Sequence, residues 1–464
     1  MYFKQIVVPG MGCFSYVIGC PAAGAMAVVD PKRDIQDYLD ISRREGMKIT
    51  HIIETHVHAD HVSGNQELKS RTGATIYMEK DSPVSFPFEP LKEGDRLEIG
   101  AARLDILETP GHTPNSLSVL VSDLMRSEEP WLILTGDVLF VGDIGRPDLV
   151  GPDVIDQQVR NQWQSLYVKF GQLPDHLEVF PAHGQGSLCG KGMSSKGNST
   201  LGYERAANPM LQFSNFEDFH AAMTQTFPVR PKSFTHIIQS NMHGAPLLER
   251  CPMDLALNPD QFEAAMERGA VVIDTRGAAS FGGTHIPGSI NIGFEPAMAN
   301  WVGMVVEPDA DIILVVDGPE RYAEMQTILH RIGYDRIYGW LAGGMSGWVM
   351  SGRPVERLPQ YSSRELAEEL VGGGLPQIID VRTDAEWKQG YIPGSTHVAL
   401  TDLLAEGVPG LKADEPALVL CGSGYRSNIA ASHLQHAGFP KVSSLAGGLI
   451  AWQRAGNSVM KDVE

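Results

Sequence analysis

No run of 18 or more apolar residues occurs in this 464-residue sequence, so nothing in it reads as a membrane-spanning helix. Positive charge is also scarce. The 37 Lys and Arg stand against 56 Asp and Glu, giving a formal charge of -19 that repels a phosphate backbone, and no basic tract offsets it. Nucleic acid and membrane are therefore excluded as expected partners. Cysteine is sparse: Cys13, Cys20, Cys189, Cys251 and Cys421 are too few for a disulfide framework and fit free thiols in a reducing, cytoplasmic setting. No export signal is expected either. Residues 6–20 are fairly apolar but contain Pro9, Gly10 and Gly12, and they lack a basic start and a small-residue cleavage region, so they read as the first strands. The length favours two to four domains.

Histidine and aspartate, by contrast, are concentrated. Thr55-His56-Val57-His58-Ala59-Asp60-His61 packs four metal-capable side chains into six positions. Three further donors follow: His112 in Thr-Pro-Gly-His, Asp137 in Leu-Thr-Gly-Asp and His183 in Phe-Pro-Ala-His-Gly. Short apolar runs at 27–29, 49–53, 104–107, 117–121, 131–134 and 177–180 read as strands, and four of them end just before one of these donors. Such placement puts the ligands on loops at one edge of a rigid sheet. Residues 184–202 depart from regular structure, and 216–223 look helical again. Donor chemistry alone leaves two centres open. Two zinc ions can be held by His56, His58 and His112 on one side and by Asp60, His61 and His183 on the other, with Asp137 bridging, which makes a hydrolase. Alternatively, two histidines and one carboxylate form the facial triad of non-haem iron(II) oxygenases.

On this donor pattern residues 1–245 resemble the metallo-β-lactamase superfamily, which implies an αββα sandwich with the metal at one edge. Within that superfamily Gly136-Asp137-Val138-Leu139-Phe140-Val141-Gly142-Asp143-Ile144-Gly145-Arg146-Pro147-Asp148-Leu149 is similar to the persulfide dioxygenases. That resemblance implies one Fe(II) per chain, held by His56, His112 and Asp137, with His58, Asp60, His61 and His183 left around it. It sets Zn(II) as the alternative. The run His183-Gly184-Gln185-Gly186-Ser187-Leu188-Cys189-Gly190-Lys191 is similar to fusions of these dioxygenases with sulfurtransferases, which implies that Cys189 lies near the metal and contacts sulfur. Arg146 reads either as a substrate contact or as an ion pair with Asp148 that orders the loop. Cys13, Cys20 and Cys251 read as structural thiols.

After a linker around 241–259 a pattern appears twice. Val271-Val272-Ile273-Asp274-Thr275-Arg276 matches Ile378-Ile379-Asp380-Val381-Arg382, and His285-Ile286-Pro287-Gly288-Ser289 matches Tyr391-Ile392-Pro393-Gly394-Ser395. Leu341-Ala342-Gly343-Gly344 matches Leu445-Ala446-Gly447-Gly448, each followed by a tryptophan, Trp348 or Trp452. Strands alternate with helical stretches, so two small parallel-sheet α/β domains are expected, at 255–355 and 362–464. His285 and Tyr391 read as equivalent structural positions.

In the second copy Cys421-Gly422-Ser423-Gly424-Tyr425-Arg426-Ser427 joins an apolar strand to a helix. Such a loop cradles an anion: its glycines let N–H groups point inward, and the helix N-terminus and Arg426 add positive potential. This copy resembles a rhodanese domain, which implies that Cys421 accepts sulfane sulfur with Arg426 assisting. The cysteine-to-arginine interval is one residue shorter than in a Cys-x5-Arg phosphatase loop. In the first copy Val315-Val316-Asp317-Gly318-Pro319-Glu320 places Asp317 where the thiol is expected, and a carboxylate carries no persulfide. That copy is read as silent, serving packing, oligomer contact or spacing.

The three-part order is similar to persulfide dioxygenase and rhodanese fusions of sulfide detoxification. The resemblance implies oxidation of a low-molecular-weight thiol persulfide by O2 to sulfite, sulfur exchange through thiosulfate, and assembly into homo-oligomers. A dinuclear zinc thioester hydrolase of the glyoxalase II kind, fused to a sulfurtransferase, is the alternative.

Overall fold

The computed structural model describes residues 1–190, 192–225, 227, 229–251, 255–372 and 377–461. Lys191, the last residue of the His183 motif, lies outside them. Two compact units result: Met1–Cys251 with Thr327–Asp335, and Pro252–Gln326 with Arg336–Glu464. Among the described residues no helix is long and apolar enough to cross a membrane.

The first unit holds two six-stranded sheets. One runs β1 (Tyr2–Val8), β2 (Cys13–Cys20), β3 (Ala25–Val29), β4 (Lys48–Ile53), β5 (Thr75–Glu79) and β6 (Glu89–Leu91), each beside the next. The other consists of β7 (Arg96–Ile99), β8 (Ala102–Glu108), β9 (Leu117–Asp123), β10 (Leu132–Gly136), β11 (Glu178–Pro181) and β12 (Ser199–Thr200), likewise in chain order. Alternation along the strands sends Tyr16, Ile18, Ala27 and Val29 of the first sheet against Leu104, Ile106, Val119 and Val121 of the second. The outer faces are apolar as well and are covered by helices. Tyr38 and Ile41 of helix Gln36–Glu45 and Leu68 of helix Asn65–Thr72 pack on the first sheet. Val159 of helix Ile155–Trp163 and Phe219 of helix Phe216–Thr224 pack on the second. This is the expected αββα sandwich. The irregular stretch expected over 184–202 ends earlier, since β12 pairs with β11 and a helix begins at Leu201.

The second unit contains two five-stranded parallel sheets with one topology. The first is β13 (Ala256–Leu257), β14 (Val271–Asp274), β15 (Ile290–Asn291), β16 (Ile312–Val315) and β17 (Ile337–Leu341), ordered β13-β17-β16-β14-β15. The second is β18 (Gln360–Tyr361), β19 (Gln377–Asp380), β20 (Thr396–His397), β21 (Ala417–Leu420) and β22 (Val442–Leu445), ordered β18-β22-β21-β19-β20. The duplication extends to details. His285 stacks on Phe281 at 3.9 Å and bridges Glu356, while Tyr391 stacks on Trp387 at 4.0 Å and bridges Met460. Arg276 clasps Asp274 and the Thr284 carbonyl, as Arg382 clasps Asp380 and the Gly390 carbonyl. The Asp-x-Arg motif is thus a buried staple closing the loop after β14 and β19. Both sheets fall in one compact unit because polar bonds join them: Asn291 N–H donates to Ser432 Oγ at 3.0 Å and Tyr425 Oη donates to the Gly293 carbonyl at 3.0 Å. Tyr425 belongs to the thiol loop, so the first copy contacts that loop through Gly293.

Candidate functional site

Every donor of the first unit leaves the C-terminal end of a strand: His56, His58, Asp60 and His61 after β4, His112 after β8, Asp137 after β10 and His183 after β11. All seven are buried. Their ligand atoms gather in separate groups. His56, His112 and Asp137 bring ligand atoms within 4.8 Å of one another, whereas His58 gathers with Asp30 and Glu54. His58 Nε2 lies 3.2 Å from Asp30 and 3.3 Å from Glu54. Burial would pull His58 down, but these two carboxylates outweigh it and hold it up at about 10. An acidic pair unseen in the motif thus holds His58 through Nε2, while its Nδ1 is buried with no hydrogen-bond partner and its ring lies 4.2 Å from that of His56.

The ring nitrogens of the trio are sorted by their neighbours. His112 Nδ1 faces the Arg146 carbonyl at 2.8 Å and donates there, which leaves Nε2 as a lone pair 3.4 Å from Asp137 Oδ2. His56 Nδ1 lies 3.0 Å from Thr55 Oγ1, and that hydroxyl donates to Asp30 at 2.8 Å, so His56 also turns Nε2 toward Asp137 Oδ2, at 3.8 Å. Burial and neighbouring imidazoles hold His56 well below the usual histidine range, and burial lowers His112 despite Asp137. Both rings are neutral donors. Burial would raise the Asp137 carboxyl, but His183, His56 and His112 hold it below the usual carboxylate range. Its Oδ2 is buried with no hydrogen-bond partner. A charged oxygen left so costs on the order of 1–3 kcal/mol or more, and a divalent cation between Oδ2 and the two Nε2 atoms removes that cost. The trio thus fits a metal.

Asp137 Oδ1 is already engaged by His183 Nδ1 at 2.6 Å, and His183 Nε2 reaches Asp60 at 2.7 Å. Burial would pull His183 down, but Asp137 and Asp60 outweigh it and hold it well above the usual range. Around it lies a second donor group of Cys13, Asp60, His61 and His183. Cys13 was expected to be a purely structural thiol, yet its Sγ sits 3.2 Å from Asp60 Oδ2. Burial, with Asp60 beside it, pushes this thiol up to about 12, so it stays protonated. Cys189 does lie beside the centre, its Sγ grouped with Asp137 and His183, and burial with Asp60 nearby keeps it too well above the usual thiol range. All five cysteines carry free thiols.

Of the two readings of Arg146, the structure adopts the ion pair. Its Nε and Nη2 clasp Asp148 at 2.7 and 2.6 Å, Nη1 donates to the Leu188 carbonyl, and its own carbonyl orients His112. Asp30 and Gly145 are functional positions that sequence reasoning missed. Asp30, at φ 49°, is the one described non-glycine residue in the left-handed region, held there while it serves Thr55 and His58. Its signal is an acid at the end of an apolar strand. A Cβ at Gly145 would meet the Asp137 carbonyl at 1.9 Å and His112 Nδ1 at 3.1 Å. Gly145→Ala is therefore expected to weaken metal binding by about 10- to 100-fold, as loss of an outer ligand partner does. Competition with a chelator measures it.

The thiol loop sits at the end of β21, where Cys421 Sγ accepts the Gly424 N–H at 3.1 Å and Gly424 (φ 98°) caps helix Tyr425–His436. The fork of Arg426 was expected to serve the loop anion. Instead Nη1 and Nη2 clasp Glu386 at 2.7 and 2.6 Å. Glu386 also caps helix Asp384–Lys388 through the Thr383 N–H. The hydrogen bond from Arg426, against opposing burial, pulls Glu386 from its ordinary 4.5 down to about 2. A folded value below the unfolded one stabilises the fold above about pH 4.5, and that stability is lost as pH falls toward about 2. The Glu386 side chain is 35% exposed, so the effect is modest. The melting-temperature gap between wild type and Glu386→Gln is expected to close across this window.

The silent loop requires one correction. Asp380 pairs with Leu420 and Asp274 with Val315, so the residue equivalent to Cys421 is Val316 and not Asp317. The loop to the next helix is one residue shorter, which shifts any alignment made from its helix end. No nucleophile results either way. The second glycine of each Ala-Gly-Gly turn follows the same divide: a Cβ at Gly448 would strike the Cys421 carbonyl at 2.3 Å, whereas at Gly344 it meets the Val316 carbonyl at 3.9 Å. Gly448→Ala is expected to remove sulfurtransfer and Gly344→Ala to retain most of it, as a thiosulfate assay measures.

The model of the metallo-beta-lactamase superfamily matches residues 8–183, and that of the rhodanese-like domain matches residues 258–351 and 363–455. A solved metallo-beta-lactamase from Staphylococcus aureus subsp. aureus COL is 31% identical, covers 74% of this chain and 98% of its own, and superposes with a TM-score of 0.67. The mitochondrial persulfide dioxygenase ETHE1 of Bos taurus is 25% identical over 247 residues, 52% of this chain and 87% of that protein. The hydroxyacylglutathione hydrolase of Rhodospirillum rubrum is 33% identical over 172 residues, 37% of this chain. The chain spans 61% of that hydrolase and 62% of a beta-lactamase hydrolase-like protein of Agrobacterium fabrum, about three fifths of each.

Proposed function

The chain belongs to the metallo-beta-lactamase superfamily and carries two rhodanese-like domains, and from this we propose that it is an iron(II) persulfide dioxygenase coupled to a thiosulfate sulfurtransferase. One observation carries the reading: two neutral imidazoles and a single free carboxylate oxygen converge, while the other oxygen of Asp137 is spent on His183. Iron(II) bound there supplies the electron transfer to dioxygen that side chains cannot perform. The residues do the rest. Asp30 and the Arg146 carbonyl fix the tautomers of His56 and His112, and a cavity beside His112 admits substrate. Overall RSSH, O2 and H2O become RSH, sulfite and two protons, with the sulfane sulfur oxidised and dioxygen reduced. In the second unit the Cys421 thiolate attacks the sulfane sulfur of thiosulfate, a new S–S bond forms, and sulfite leaves with the electron pair of the old one. The reverse step makes thiosulfate from sulfite. The ETHE1 similarity over half of the chain supports the first activity.

Zinc has its own supporting observation. Asp60, His61 and His183, with Cys13 added, form a complete second donor group, and similarity to a hydroxyacylglutathione hydrolase accompanies it. The second reading is a dinuclear zinc thioester hydrolase. Metal analysis of protein purified without supplementation separates the two: one iron per chain supports the dioxygenase, and two zincs per chain support the hydrolase. We also propose that the chain forms homo-oligomers, which sedimentation tests.

A further inference from the structure

The helix that follows the thiol loop, Tyr425–His436, carries a polar stripe. Tyr425, Asn428, Ser432 and His436 stand at i, i+3, i+7 and i+11, one face of an α-helix, and each meets a residue of the first copy. Tyr425 Oη donates to the Gly293 carbonyl at 3.0 Å, and Asn428 Nδ2 donates to Asn291 Oδ1. Ser432 Oγ accepts the Asn291 N–H at 3.0 Å, and His436 Nδ1 donates to the Gly288 carbonyl at 3.0 Å. β15 is the last strand of its sheet, so the hydroxyl of Ser432 stands at the Asn291 N–H where a further strand would pair. Asn291 is itself fixed: its Nδ2 donates to the Asp274 and Arg276 carbonyls at 2.9 and 2.8 Å, which turns Oδ1 to the helix. Chemistry enters at the first residue of the stripe. Tyr425 directly follows Gly424, whose N–H lies 3.1 Å from Cys421 Sγ, and the Tyr425 ring rests on Gly293, where a Cβ would come within 3.5 Å of it. His436 lies roughly 16 Å farther along the axis.

We propose that the first copy is the template that sets the thiol loop: Tyr425 and Asn428 are positioning residues of the sulfurtransferase, and the Gly288–Gly293 edge is their fixed support. They hold the N-terminus of the helix so that the Gly424 N–H meets Cys421 Sγ. This rests on the sulfurtransferase reading for the reaction affected, but not for the positioning itself. A copy without a nucleophile then acts on the rate of its neighbour through hydrogen bonds alone.

The order of the stripe supplies the test, because positioning fades with distance from Cys421 whereas adhesion between the copies does not. Tyr425→Phe, Ser432→Ala and His436→Ala each remove one hydrogen bond to the first copy. In the full chain, kcat/KM for thiosulfate with cyanide is measured beside the rate of Cys421 alkylation by iodoacetamide, read on its peptide by mass spectrometry, and beside the melting temperature. Tyr425→Phe is expected to lower turnover and alkylation together by roughly 3- to 30-fold. Ser432→Ala should lower both by less, and His436→Ala should leave both within about twofold of wild type. Gly293→Val, which presses on the Tyr425 ring from the first copy, is expected to reproduce the Tyr425→Phe loss without altering the loop. Alkylation rates that follow this order, with no thiosulfate turnover in wild type, support the positioning and remove the sulfurtransferase reading. Wild-type turnover and alkylation in Tyr425→Phe, or losses that rank with the melting-temperature shifts rather than with distance from Cys421, overturn the proposal.

Discussion

His112→Ala is expected to lower persulfide-dependent oxygen uptake by more than about 100-fold, beyond what loss of an outer ligand partner costs. The reason is geometric. His112 contributes one of two neutral Nε2 donors, and its Nδ1 is fixed by the Arg146 carbonyl, so its loss removes an oriented ligand. His183 is placed elsewhere, with Nδ1 2.6 Å from Asp137 Oδ1 and Nε2 2.7 Å from Asp60 Oδ2. Metal content should fall in parallel, which distinguishes a lost ligand from a lost proton donor. An oxygen electrode and elemental analysis on the same preparation measure both. Sulfurtransfer from thiosulfate should persist in this variant, since Cys421 lies in the other compact unit.

The second large effect is the converse. Cys421→Ser is expected to abolish thiosulfate sulfurtransfer, because a hydroxyl neither attacks sulfane sulfur at neutral pH nor holds it as a persulfide. The loop itself should survive. Gly424 N–H and Ser427 Oγ, which lie 3.1 and 3.6 Å from Cys421 Sγ, accommodate an oxygen at that position. Oxygen uptake should stay at the wild-type rate. Assays of cyanide-dependent thiocyanate formation and of oxygen uptake on the one variant measure the split, and equal loss of both activities would end the proposed division of labour.

How much of this was legible beforehand follows from what each signal depends on. Strand ends were readable because apolar runs stop where a polar loop begins, and β4, β8, β10 and β11 each stop just before a donor. The duplication was readable because Asp-x-Arg, Ile-Pro-Gly-Ser and the Ala-Gly-Gly turn each require particular residues: a buried staple, a tight turn and two successive left-handed positions. Partners remote in sequence were not. Asp30 is 28 residues from His58, and Glu386 is 40 from Arg426, so neither spacing marks its pairing. Cys13, 47 residues from Asp60, reaches it at the start of β2, where an isolated bridge joins Cys13 to His183. The silent loop was misjudged by one residue for a related reason: strand register, which sets equivalence, is invisible until the sheet is paired.

The most direct test is oxygen consumption by iron-reconstituted protein given a thiol persulfide, with sulfite quantified in the same vessel. The account predicts consumption dependent on His56, His112 and Asp137, with one sulfite formed per dioxygen. It is contradicted if the iron-loaded protein consumes no oxygen with any thiol persulfide while the zinc-loaded protein hydrolyses a glutathione thioester.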